Sequence, residues 1–170
     1  MLPEDLELIH DYYINNIESF KHIIPYCHYR FDRDFVFQLL NLELKDFLES
    51  KAVRFYMFLA DQVWEEILGD FSIFDIRRGL FQSASLGFKL RREHRGRGFM
   101  TEALRFAIDY AFGTMGLHRL EIQTAADNAE AIHLAEKLGF ERIGKVRGFI
   151  KINSDWEDYY LYSLIADGHD

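Results

Sequence analysis

Two glycines one residue apart, each preceded by an arginine, form the run Arg95-Gly96-Arg97-Gly98 between an apolar stretch, Ala84 to Leu90, and a helical pattern that begins at Phe99. Glycine at such a junction lets the backbone approach a ligand, because no Cβ stands in the way. The first amides of a helix have no partner within it and carry the positive end of the helix dipole. Strand, glycine loop and helix start in that order make an anion site suited to a phosphate or diphosphate. Arg95 and Arg97 can add charge-assisted contacts. A dinucleotide fingerprint needs a third glycine where this chain has Thr101, and a Walker loop needs a Gly-Lys-Ser/Thr that is absent. The Arg-Gly doublet is also no low-complexity RNA-binding tract, being isolated and running straight into a periodic helix. Taken alone, the loop is equally open to a reading in which glycine only turns the chain.

The elements that must position this loop follow from hydrophobic period. Leu6, Ile9, Tyr13, Ile14, Ile17 and Phe20 recur at helical spacing, as do Phe35, Val36, Leu39, Leu40, Leu42, Phe47 and Leu48. Short β-rich runs follow, Val53–Leu59, Trp64–Phe74 and Leu80–Leu90, broken at Asp61-Gln62, Asp70 and Arg77-Arg78-Gly79, and they read as an antiparallel meander. Phe99, Met100, Ala103, Leu104, Ala107, Ile108 and Ala111 share a helix face, with Gly113 and Gly116 expected past its end. A strand over His118–Ala125 comes next. Asp127-Asn128-Ala129-Glu130 then has the form of a capping box, with Asp127 as the cap, for a helix that stops at Gly139. Phe140–Ile150 and Trp156–Ile165 close the chain as a hairpin around Asn153-Ser154-Asp155. The fold class is α/β in the mixed, α+β sense: a mostly antiparallel central sheet flanked by helices, in a single domain over 1–170.

Composition limits the function. The 170 residues are 49% hydrophobic and 28% charged, the balance of a packed globule. A net charge of -8 argues against a nucleic-acid binder and suits a cationic acceptor, although acidity of this size also serves plain solubility. The single cysteine, Cys27, permits no intrachain disulfide, and the acidic start lacks the form of a signal peptide. No membrane partner and a cytoplasmic location are the expectation. His22, Cys27 and His28 lack a regular ligand spacing, so no metal is expected.

The block Leu86-Gly87-Phe88-Lys89-Leu90 followed by His94-Arg95-Gly96-Arg97-Gly98-Phe99-Met100-Thr101-Glu102-Ala103-Leu104 resembles the acetyl-CoA motif of the GNAT N-acetyltransferases. Leu117-His118-Arg119-Leu120-Glu121, Asn128, Glu136-Lys137-Leu138-Gly139-Phe140 and Asp158-Tyr159-Tyr160-Leu161-Tyr162 extend the likeness to the RimJ/RimL-like branch, which acetylates ribosomal-protein N-termini. The resemblance implies the GNAT fold and acetyl-CoA as co-substrate. It implies that Phe88, Lys89 and Leu90 offer backbone groups to the pantetheine and thioester. It further implies that Arg95, Gly96, Arg97, Gly98, Phe99, Met100 and Thr101 hold the pyrophosphate, and that Asn128 contacts the cofactor from the next helix.

Direct transfer needs a neutral amine, so something must accept a proton, while strand amides aimed at the thioester oxygen offset the charge that develops there. Glu121 is the first candidate base, in a position where the branch often carries Glu. Gln123, two residues on along the same strand face, can orient a water or the acceptor. Ala135 stands where many relatives place a tyrosine that protonates the leaving thiolate, and Ala131 where the branch usually has Ser. A thiol with pKa near ~8.5 is a fair leaving group without an acid, and Tyr162 or a water are the other options. The expected acceptor is a protein N-terminal α-amine, with a small amine such as a polyamine or aminoglycoside, or a catalytically weak CoA-binding module, as alternatives. Monomer and homodimer are both compatible with the sequence.

Overall fold

A computed structural model of the chain describes residues 5–20, 31–61, 64–152 and 154–166. The expectations at His22, Cys27 and His28, at Gln62 and at Asn153 lie outside the described residues. Helix α1 spans Leu6–Phe20 and α2 Arg33–Leu48, the latter opened by Asp32, whose carboxylate accepts from the Phe35 amide at 3.0 Å. Strands β1 (Val53–Met57), β2 (Gly69–Arg77) and β3 (Ser83–Leu90) form the expected meander. Helix α3 (Phe99–Asp109) leads to β4 (Arg119–Ala125), then α4 (Ala129–Lys137), and the hairpin β5 (Glu141–Ile152) and β6 (Asp155–Ile165). Among the described residues six strands lie in the order β1-β2-β3-β4-β6-β5, and of these only β3 and β4 pair in parallel. No helix among the described residues is long and apolar enough to cross a membrane.

Strand alternation divides the sheet into two faces. Phe71, Ile73, Leu86, Leu120, Ile122 and Tyr162 point to one face and pack against Met100, Leu104 and Ala107 of α3 and Ala135 of α4. Asp70 and Arg54 belong to the other face, where α1 and α2 assemble a second cluster from Ile9, Tyr12, Tyr13, Phe20, Val36, Leu40 and Ile67. The helix pair is tied to the sheet by charge as well as by apolar contact. The Asp70 carboxylate, 1% exposed, accepts from Tyr12 at 2.9 Å and Lys89 at 3.1 Å and is paired with Arg54. Arg54 also meets Glu43 of α2 at 2.8 Å, and Tyr56 donates to Glu43 at 3.0 Å. Burial by itself raises the Asp70 carboxyl, but Lys89 and Arg54 outweigh it and hold the group below the usual aspartate range. Burial raises Glu43 more than Arg54 lowers it. Asp70, expected as a break between strands, is therefore a strand residue at the centre of a buried ionic network.

Three other expectations shift. The second strand does not begin at Trp64: Ile67 turns into the helical cluster, and β2 starts at Gly69, where an added Cβ would lie 2.4 Å from the Lys89 carbonyl oxygen, so only glycine lets the two strands pair there. Gly113 is not past the end of α3. The helix widens into a π turn over Tyr110–Thr114, with the Met115 amide bonded to the Tyr110 carbonyl at 2.9 Å, and the chain turns at Gly116, whose φ is +63°. The cap of α4 is Asn128 rather than Asp127, its side-chain oxygen accepting from the Ala131 amide at 3.1 Å, while Asp127 lies in the preceding turn, its backbone carbonyl accepting from the Ala129 amide at 3.0 Å.

Removing one member of a buried ion pair strands its partners, a loss of about 3–5 kcal/mol. Asp70→Asn is expected to lower unfolding free energy by about that much in urea titrations, since Lys89 and Arg54 lose their shared counter-charge. Because the Asp70 pKa is depressed on folding, its contribution is complete above the ordinary value near ~3.9 and fades as pH falls through the folded value, so the Asn variant should lose that part of the acid sensitivity. A loss under ~1 kcal/mol, the size of a surface pair, would contradict a buried network.

Candidate functional site

The parallel pair β3–β4 is bonded over only four rungs, from Ser83↔Arg119 to Leu86↔Ile122. Beyond them β3 stays paired to β2 as far as Gly69↔Leu90, and β4 to β6 as far as Ala125↔Tyr159. The facing edges of Gly87–Leu90 and Gln123–Ala125 therefore diverge into a wedge. Backbone amides and carbonyls on those edges have no strand opposite them and need partners from elsewhere. Phe88, Lys89 and Leu90 lie on the wedge edge and are half-buried. Their side chains alternate: Phe88 and Leu90 pack with the α3 core, while the Lys89 ammonium runs to Asp70, so what Lys89 offers the wedge is its backbone.

The glycine loop stands at the mouth of this wedge. A short 3-10 turn, Arg92–His94, separates it from β3. Gly96 and Gly98 have φ of +72° and +88°, the left-handed region that favours glycine, and an added Cβ at either would meet no atom within 4 Å. Gly98 is the N-cap of α3 and supplies no side-chain acceptor, and the ladder starts with the Glu102 amide bonded to the Gly98 carbonyl at 3.0 Å. The amides of Phe99, Met100 and Thr101 thus precede the first helical bond and point outwards with the helix dipole. Met100 puts its side chain in the core, so its amide is its only route to a ligand. Arg97 is exposed, with its guanidinium 4.9 Å from the Phe99 ring centroid and 3.4 Å from His94 Nδ1. Arg95 reaches across to Glu130 in the first turn of α4 at 3.3 Å. Asn128 spends its oxygen on the cap and keeps its amide nitrogen as a donor. Uncapped amides, open glycines, two arginines and an unpaired strand edge suit an elongated ligand with a diphosphate at one end.

The candidate catalytic residues fall on two faces. Glu121 and Gln123 share the face of Asp70, beside the wedge, and Gln123 donates to Ser85 at 3.3 Å. Both oxygens of Glu121 are taken, by Arg119 at 2.8 Å and Arg77 at 3.3 Å. Tyr162 is on the opposite face with its ring fully buried; its hydroxyl accepts from Arg142 at 2.8 Å and donates to Glu136 at 3.1 Å. Burial, joined by the Glu136 carboxylate, raises its pKa against the lowering effect of Arg142. The structure therefore groups Glu121 and Gln123 and sets Tyr162 apart from them. Sequence reasoning passed over Lys89 and Asp70 as partners; the available signal was a lone Asp inside an apolar run and a lone Lys on the motif strand. Among the described residues no cluster of three or more His, Cys, Asp or Glu can hold a metal.

Comparison with known proteins bears on this arrangement. Residues 1–141 match the model of the acetyltransferase (GNAT) domain. The probable N-acetyltransferase YjcK of Bacillus subtilis is 39% identical over 69% of the chain, a match that spans 64% of that protein. The spermidine N(1)-acetyltransferase of Vibrio cholerae is 28% identical over 91% of the chain and 83% of its own length. The solved ribosomal-protein-S5-alanine acetyltransferase from Vibrio fischeri superposes with a TM-score of 0.88 at 26% identity, covering 98% of this chain and 91% of that one.

Two variants test the loop by calorimetry with CoA. Gly98→Val places a branched side chain in the space the backbone presents to a phosphate and strains a left-handed residue by about 1–2 kcal/mol, so CoA binding should vanish while the fold persists. Glu130→Gln frees Arg95 from its present partner and should tighten CoA by a few fold, of the order of one exposed ion pair at roughly 0.2–1 kcal/mol. Unchanged CoA affinity in a folded Gly98→Val protein would remove the loop from the site.

Proposed function

We propose that this chain, which belongs to the acetyltransferase (GNAT) family, moves an acetyl group from acetyl-CoA to a primary amine, and that this amine is the N-terminal α-amine of a protein. The observation that carries the reading is the β3–β4 wedge opening beside an uncapped helix start. The residues fit the co-substrate. Amides from Arg95 to Thr101, with Arg97 and a released Arg95, hold the diphosphate. Backbone groups of Phe88, Lys89 and Leu90 line the pantetheine, and the Asn128 amide nitrogen donates from the other wall. Acetyl-CoA supplies an activated acyl group on a thiolate of pKa near ~8.5, which leaves without help from the engaged Tyr162 hydroxyl.

The protein's own contribution is to place the amine and take its proton. Gln123 orients a water on the wedge face, and Glu121, held by Arg119 and Arg77, takes the proton through it. On this face every described carboxylate near the wedge already has a cationic partner: Glu121 has two arginines, Asp70 has Lys89 and Arg54, and Glu43 has Arg54. Proton acceptors so occupied suit an amine that is partly neutral near pH ~7, as an α-amine with pKa of about 7.7–8.0 is, better than a lysine-like amine near ~10.4. The similarity to a ribosomal-protein-S5-alanine acetyltransferase over nearly the whole chain supports the same acceptor class. A polyamine is the second reading, favoured by the match to a spermidine acetyltransferase along most of both chains.

Thiol release measured with a peptide bearing a free N-terminal alanine and with spermidine separates the two readings, the peptide being the expected substrate. Glu121→Gln should keep the KM for acetyl-CoA and lower kcat at neutral pH by about 10²-fold, the lower range for a general base. Activity should recover as pH rises towards about 9, because a growing share of the amine is already neutral. A variant as fast as the parent from about pH 6 to about pH 9 makes Glu121 structural.

A further inference from the structure

Glu121 has two oxygens and two arginines, and the two holds are unlike. Arg119 lies two residues before it on β4, on the same face, and donates from Nε to Oε1 at 2.8 Å. Its stem is fixed, because Arg119 stands on a rung with Ser83 on one side and Ile165 on the other. Arg77 comes from β2, two strands away, and its contact to Oε2 is long, 3.3 Å. Its side chain is 47% exposed against 24% for Glu121, so water competes for this bond.

An irregularity of the sheet puts Arg77 there. Between the pairs Phe74↔Ser85 and Arg77↔Ser83, β2 has two residues where β3 has one, a bulge, with Asp75 in the left-handed region at φ +51°. In an unbroken ladder Ile76 would pair with Ser83 and lie on the face of Glu121. The extra residue turns Ile76 to the α3 core instead and carries Arg77 round to Glu121. A second place for the guanidinium is close by. Its central carbon lies 5.6 Å from the centre of the Phe81 ring, which is mostly exposed. Arg77 can therefore let go of Oε2 and still keep a partner.

Resting on the reading above that Glu121 takes the proton of the amine, we infer that Arg77 is a displaceable cap on the receiving oxygen, Oε2, while Arg119 is the positioning residue that holds the carboxylate through the exchange. The water oriented by Gln123 needs an open acceptor, and Oε2 is the oxygen whose present partner is long, exposed and replaceable. In the transfer the nitrogen bonds to the acyl carbon as the carbon-sulfur bond breaks, the electron pair leaving with sulfur. The amine proton passes to the water as the water passes one of its own to Oε2, so the water is restored and the carboxyl is left neutral. A neutral carboxyl attracts a guanidinium less, and Arg77 returns once solvent has taken the proton.

The two arginines should therefore act in opposite directions. Thiol release is measured at neutral pH, with the amine that the parent acetylates fastest, for the parent, Arg77→Gln, Arg77→Lys, Arg119→Gln and Glu121→Gln, and for each Gln-substituted arginine combined with Glu121→Gln. Arg77→Gln should raise kcat by about two- to fivefold, the range of one exposed ion pair that no longer has to open, with the KM for acetyl-CoA unchanged. Arg77→Lys, which restores the charge, should lose most of that gain. Arg119→Gln should lower kcat by about tenfold, because a carboxylate without its orienting partner forfeits part of what a placed base supplies. Both effects should vanish on the Glu121→Gln background, since they act only through that carboxylate. An Arg77→Gln enzyme no faster than the parent, or a gain that survives without Glu121, would overturn the inference, while a slow Glu121→Gln enzyme leaves the proton reading in place. A Glu121→Gln enzyme as fast as the parent would overturn that reading and this inference with it.

Discussion

The constraint on which the rest of the structure depends is that β3 and β4 are hydrogen-bonded for four rungs and then part, while each remains held on its far side. Parallel neighbours cannot be joined by a tight turn, so a crossover must connect them, and here that crossover is the glycine loop and α3. The start of α3 is thereby delivered to the carboxyl end of β3, which is also where the wedge opens. One connection rule thus brings an unpaired strand edge and an uncapped helix terminus into the same place. In open sheets that place, outside the carboxyl ends of the strands, is where ligands bind.

The wedge stays open because its walls are held from behind. On one face α3 and α4 pack a continuous apolar layer against Leu86, Leu120 and Ile122, and on the other α1 and α2 are tied to Asp70 and Lys89. Lys89 connects the two tasks, since its backbone forms wedge edge while its ammonium anchors the helix pair. Burying this many charges is not an efficient source of stability. What the network supplies is a set of charge-assisted contacts that tie the strand carrying Lys89 to the helix pair behind it.

The sequence made legible whatever depends on residues close together in the chain. Helix periods, the strand-loop-helix junction, the meander and the closing hairpin are all local, and they emerge where the periodicity placed them, within a few residues. The buried network was not legible, because Glu43, Arg54, Asp70 and Lys89 come from four elements and only the strand register makes them neighbours. For the same reason Asp70 looked like a break. Glu121 could be placed on a strand face by alternation, but the two arginines that occupy it could not, since Arg77 reaches it from β2 across the sheet. The shift of the α4 cap from Asp127 to Asn128 is a one-residue matter that depends on the turn before it, and capping preferences do not distinguish Asp from Asn.

The central claim is that the open β3–β4 edge receives the co-substrate. Amide hydrogen exchange with and without acetyl-CoA tests it most directly, because it reads the edge amides themselves. Exchange should slow at Gly87–Leu90 and at Phe99–Thr101 when acetyl-CoA is added, the first as strand amides gain acceptors and the second as the helix start takes the diphosphate. Protection confined to α1 and α2, with both of those segments unchanged at saturating acetyl-CoA, would contradict it.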